Sequence, residues 1–169
     1  MNKKKWEIGG IIFTIIVGVL LHFTYDWSQG NAIVGIFSPV NESTWEHLKL
    51  LFMPFLLWAG IEYVVFGKDI KNFIPAKTIS VIAGMTFIVL AFYGYMAIFN
   101  RDLLALNISI FIASVLLSYA ISYFIIGSSY YTTTDAVFYS KLVLILLFIA
   151  FSGFSFNAPN GELFRDPTV

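Results

Sequence analysis

The chain has 169 residues, 59% of them hydrophobic and 18% aromatic but only 12% charged, about half the charged share of a soluble domain. Ten basic residues balance ten acidic ones, so no net field favours nucleic acid, and the lack of cysteine excludes disulfides, thiolate metal sites and cysteine nucleophiles. Apolar runs follow one another with short polar interruptions, as a lipid-facing exterior permits, so we expect an all-α polytopic membrane helix bundle forming one integral membrane domain over 1–169.

Five spans are expected, at about 8–27, 44–66, 78–99, 103–126 and 136–156, each long enough at ~1.5 Å per residue to cross a ~30 Å hydrocarbon core. Lys3, Lys4 and Lys5 precede the first run, but no small-residue cleavage site follows it, so the first helix is read as uncleaved. Pro54 is expected to kink the second helix and free a carbonyl. Gly67 to Lys77, with Pro75, reads as a polar loop, and Asn100-Arg101-Asp102 as a tight hairpin. In the fourth span Ser114, Ser118 and Ser122 recur every fourth residue, a face of small side chains suited to close helix packing.

Positive residues orient the set. Lys3, Lys4, Lys5, Lys68, Lys71, Lys77 and Lys141 fall on one side, against Lys49, Arg101 and Arg165 on the other, which puts the N-terminus in the cytoplasm and the C-terminus outside. Trp6 then sits at the inner interface and Trp27 and Trp45 at the outer one. Glu62 lies near the inner end of the second span, where it could pair with Lys68 or Lys141. Neutralisation is favoured over a proton relay, because no further ionisable groups are evident along the interior.

Functional groups concentrate on the outer side. The first outer loop contains the apolar stretch Ile33-Val34-Gly35-Ile36-Phe37, read as a structured or membrane-dipping segment. After it comes Ser38-Pro39-Val40-Asn41-Glu42-Ser43-Thr44-Trp45-Glu46-His47-Leu48-Lys49. Ser43 and Glu46 have the spacing of a capping box, and Glu42 suits a helix N-terminus, but capping does not explain His47. His22 and Asp26, four apart, share a helical face and could form a hydrogen-bonded pair that fixes an imidazole tautomer. His22, His47, Asp26 and Glu46 are the candidate metal ligands. Glu42, Glu46 and Asp26 are the candidate catalytic carboxylates, and zinc or another divalent metal is the candidate cofactor. The tail from Asn157 to Pro167 returns to this side, as a lid or as a solvated terminus.

With its Ser38–Leu50 motif, its His22–Asp26 segment and its Phe164-Arg165-Asp166-Pro167 ending, the chain resembles an uncharacterised family of small bacterial multi-pass membrane proteins. That resemblance implies a bacterial plasma membrane location and supplies no activity. A weaker resemblance is to alkaline-ceramidase-like membrane hydrolases, which hold zinc with histidines. Their seven spans and late histidine pair are not matched here, so no ligand is carried over. Three functions follow: a metal-assisted hydrolase or transferase acting on a lipid or lipid-linked substrate, a binding or transport component for a small polar ligand, or an accessory subunit. The expected partners are the bilayer and a homo-oligomer or other membrane protein.

Overall fold

A computed structural model describes residues 2–167, and all its regular elements are helical. Helix α1 (Lys3–Trp27) leads to a short helix α2 (Ala32–Phe37). Then α3 (Thr44–His47) and α4 (Lys49–Val65) run on as one span, followed by α5 (Phe73–Phe99), α6 (Leu104–Ile125) and α7 (Thr134–Phe154). Single 3-10 turns cover Gly67–Asp69 and Glu162–Phe164. Five helices are long and apolar enough to cross a membrane: Lys3–Trp27, Thr44–Val65, Phe73–Phe99, Leu104–Ile125 and Thr134–Phe154. The expected membrane-dipping stretch is α2, whose N-cap Asn31 accepts a hydrogen bond from the Ile33 N–H.

The span that carries the polar motif is the axis of the bundle. Leu51, Phe52 and Phe55 of α4 are buried among Val81 of α5, Val115 and Tyr119 of α6 and Phe151 of α7. Helix α1 packs on α4 and α6, α6 on α5, and α7 on α5. Pro54 stays inside α4 and has no N–H to offer the Leu50 carbonyl one turn back. That oxygen faces Gly18 of α1, where an added methyl carbon would lie only 2.6 Å from it. A glycine there lets α1 approach closely enough for a Cα–H to meet the carbonyl. The expected serine face is fully buried, with Gly84 of α5 set directly against Ser118. At the far end of α5, Asn100 adopts the left-handed conformation and its N–H closes on the Met96 carbonyl, forming the hairpin cap.

At the opposite end α1 starts at Lys3 and α5 at Phe73, earlier than the apolar runs suggest. Pro75 lies in the first turn of α5, where its missing N–H costs nothing because no intrahelical acceptor is available there. Lys77 is not a surface charge of the loop. It is buried, with Nζ 2.5 Å from Glu62 and 3.2 Å from Glu7, so Glu62 pairs with Lys77 rather than with Lys68 or Lys141. Asn72, just before α5, is buried as well: its amide donates to the carbonyls of Ile125, Ser128 and Tyr130, and its side-chain oxygen accepts from the Gly127 N–H. Lys3 donates to the Tyr123 and Ile126 carbonyls and so caps the C-terminal end of α6.

Candidate functional site

The polar motif is built upward from Ser38. Its hydroxyl donates to the Leu21 carbonyl at 2.5 Å and accepts from Thr24 Oγ1 and the Tyr25 N–H, which pins the loop to the last turns of α1. The Asn41 side chain accepts from the Ser43 N–H, and Ser43 Oγ accepts from the Glu46 N–H, so a side-chain turn passes directly into a helix cap. Half of the expected capping box therefore forms. The Glu46 carboxylate does not return to Ser43; it accepts from the Val40 N–H at 2.9 Å and from Ser155 at 2.9 Å, and pairs with Lys49 at 2.7 Å. Lys49 is wholly buried, and its ammonium also donates to the Gly35 and Ser38 carbonyls and to Ser155. This buried pair thus joins α2, the motif and the end of α7.

The cap leaves Glu42 poised over the first turn of α3. His47, at the end of that turn, has Nδ1 3.0 Å from the Ser43 carbonyl and Nε2 3.4 Å from Glu42 Oε2. His22 of α1 meets His47 edge to face, with ring centroids 5.2 Å apart, and stacks on Phe23. One ligand atom from each of His22, Glu42 and His47 lies within 4.8 Å of the others. Of the residues singled out from the sequence, His22 and His47 are brought together and Glu42 joins them. Asp26 is exposed in the last turn of α1, and its side chain pairs with no described residue, His22 included. Glu46 is committed to Lys49. Lys49 itself was counted only as a topological charge, and its burial leaves no sequence signal beyond its place three residues after an acidic one.

The hydrogen bonds constrain the chemistry of His47. A carbonyl only accepts, so Nδ1 carries a proton and a neutral ring presents its Nε2 lone pair to the Glu42 carboxylate. Two acceptors at 3.4 Å repel, so the arrangement requires a positive centre at Nε2, either a proton or a metal ion. Contact with His47 is the largest influence on Glu42 and, with help from His22, holds its carboxyl below the usual carboxylate range against partial burial and the nearby Asp166. The side chains of His47 and Glu42 remain 32% and 47% exposed, so water and ions reach the cluster.

The tail lies across the same end. Phe164 packs 5.1 Å from Trp45, which also meets Phe151 and Phe154, and Tyr93 donates to the Glu162 carbonyl. The Glu42 N–H donates to the Asp166 carboxylate at 3.4 Å, while Glu162 and Arg165 form an exposed pair with each other. The tail is therefore docked against the motif by its aromatic residue, not simply solvated.

These features describe a multi-pass membrane helix bundle with a structured polar cap at one end. The chain belongs to the family of unknown function DUF6512, whose profile matches residues 1–169. No curated protein and no solved structure gives a match, and no likeness to the alkaline-ceramidase-like hydrolases is shown.

Proposed function

We propose that His22, Glu42 and His47 bind a divalent transition metal, zinc by ligand type, at the extracytoplasmic face of a bacterial plasma membrane. The observation that carries this reading is the fixed geometry of His47. Its Nδ1–H is held by a backbone carbonyl, the usual way a protein orients a histidine ligand, and its Nε2 faces a carboxylate oxygen. Tetrahedral zinc with bonds of about 2.1 Å places its donors about 3.4 Å apart. The Glu42–His47 separation of 3.4 Å matches that spacing, and His22 has to swing inward to complete it. Lys3, Lys4, Lys5, Lys68 and Lys71 at one end of the bundle, against Arg101 and Arg165 at the other, support an inside N-terminus and an outside site.

Three protein ligands leave a fourth position for water, the arrangement of a hydrolytic zinc centre. A metal-bound water at headgroup depth would supply the nucleophile that a chain without cysteine lacks, for hydrolysis or transfer on a lipid or lipid-linked substrate. With Glu42 on the metal and Glu46 held by Lys49, a general base would come from Asp26 in the last turn of α1 or from Asp166 beside Glu42.

The test is the metal content of detergent-purified protein and of His22→Ala, Glu42→Ala and His47→Ala, prepared identically. Near-stoichiometric zinc in the wild type, lost in all three variants, is expected. No metal in the wild type after incubation with zinc and dialysis would leave an imidazolium–glutamate ion pair in its place.

A further inference from the structure

A second polar cluster lies at the other end of the bundle and is fully enclosed. Glu7 is one turn into α1, Lys77 one turn into α5, and Glu62 one turn before the end of α4. All three are buried, Glu62 at 0% exposure. The Lys77 ammonium contacts both carboxylates and sits between the rings of Phe55, Phe73 and Tyr119 at 5.3–5.6 Å. Tyr119 is tied to Thr14 at 2.8 Å, so α6 contributes a neutral phenol there, and α7 contributes no charged group in contact with either carboxylate.

The charges do not balance. Two carboxylates around one ammonium leave a net charge of −1 where burial strongly penalises an uncompensated ion. Among the described residues no other cation touches either glutamate. Nor are the two carboxylates equivalent. Glu7 accepts from Lys77 with both oxygens, at 3.2 and 3.3 Å, and from Ser122 at 2.8 Å, the surroundings of a settled anion. Glu62 faces Lys77 through Oε2 alone, as an ion-pair contact, and neither of its buried oxygens meets a partner in hydrogen-bond geometry. The Trp58 indole lies near Glu62 and gives its N–H to the Trp6 carbonyl at 3.2 Å.

We propose that this cluster is a proton-binding site: one proton resides on Glu62, brings the Glu7–Lys77–Glu62 group to neutrality, and exchanges with water. A carboxylic acid at Glu62 removes the excess charge and suits a carboxyl whose oxygens meet no partner in hydrogen-bond geometry. The proton comes from bulk water, and its departure restores the −1 state. A groove of about 310 Å³ between α4, α5 and α7, lined by Gly60, Tyr63 and Lys141 among others, reaches the apolar stem of Lys77. That groove lies next to a cluster which the α1, α4, α5 and α6 side chains otherwise close. The site is separate from the histidine cluster, which is at the opposite end of the span that carries Glu62.

Infrared spectroscopy of the full chain reconstituted in lipid tests this directly. At neutral pH the exposed carboxyls are ionised, so a carboxylic acid C=O band reports a buried proton. The wild type should show one such band, shifting on transfer to D2O. Glu62→Gln should fold, because an amide matches the neutral acid in shape and charge, and should lose the band. Ser122→Ala removes a hydrogen bond from Glu7 only, so the band should persist at an unchanged frequency. Absence of the band in wild type, its survival in Glu62→Gln, or its displacement in Ser122→Ala would overturn the assignment. A band that never responds to D2O would overturn exchange. The wild type and Ser122→Ala decide the matter even if Glu62→Gln does not fold.

Discussion

Replacing Lys49 by methionine is the most informative perturbation of the end that carries the polar motif, because one buried amine holds four partners. Its ammonium donates to Glu46 at 2.7 Å, to the Gly35 carbonyl at 2.8 Å, to the Ser38 carbonyl at 3.1 Å and to Ser155. Removing one partner of a buried pair costs about 3–5 kcal/mol, since the other charge remains buried. Here Glu46 keeps the Val40 N–H and the Ser155 hydroxyl, which favours the lower part of that range. For a chain of this length each kcal/mol corresponds to about 2–4 °C, so Lys49→Met should melt roughly 10 °C below wild type. The double variant Glu46→Gln, Lys49→Met removes both charges and should recover about half of the loss. The exposed Lys68→Met should stay within about 0.5 kcal/mol of wild type. Without cysteine, thiol-reactive reporters are excluded, but four tryptophans give an intrinsic fluorescence melt in detergent. A Lys49→Met protein melting within about 2 °C of wild type would refute the argument, whatever the double variant does.

Gly18→Ala should destabilise by about 1–3 kcal/mol through its contact with the Leu50 carbonyl. Gly60→Ala, with open space around it, should be neutral or stabilising by up to about 1 kcal/mol in the same melts. Because His47 holds the Glu42 carboxyl below its usual range, the pair contributes stability that is complete above that range and is lost as pH falls through the depressed value. Melting temperature against pH should therefore fall less steeply on the acid side in Glu42→Gln than in wild type, and parallel curves would contradict this. Zinc and a proton compete for His47 Nε2, so zinc affinity measured by titration calorimetry should weaken as pH is lowered, and a pH-independent affinity would place the metal elsewhere.

Much of the fold is legible in the sequence because apolar runs of membrane-spanning length announce themselves without reference to any partner. The serine face of α6 was readable for the same reason, since its four-residue spacing is local. Errors fall where a charged residue is satisfied across the fold. Lys77 looks like a cytoplasmic loop residue until Glu7, seventy positions earlier, is seen beside it, and the start of α5 shifts accordingly. Glu46 looks like half of a capping box until Lys49 and Ser155 claim its carboxylate. At the histidine site, gathering His22 and His47 in one place needed only the topology. Including Glu42 while setting aside Asp26 and Glu46 depended on the Asn41 and Ser43 side-chain turns, which aim the backbone and leave no periodic trace.

Ser155 and the docked tail also set an order of events during synthesis. The ribosome releases His22, Glu42 and His47 early, with the first two spans. Yet the hydroxyl that completes the Glu46–Lys49 pair and the carboxylate that receives the Glu42 N–H arrive only after the fifth helix. A nascent chain stalled before α7 would hold the Glu46–Lys49 pair short of the Ser155 hydroxyl. The polar cap thus matures last although its donors are made first, and any ligand that needs the finished cap meets only chains whose insertion is complete.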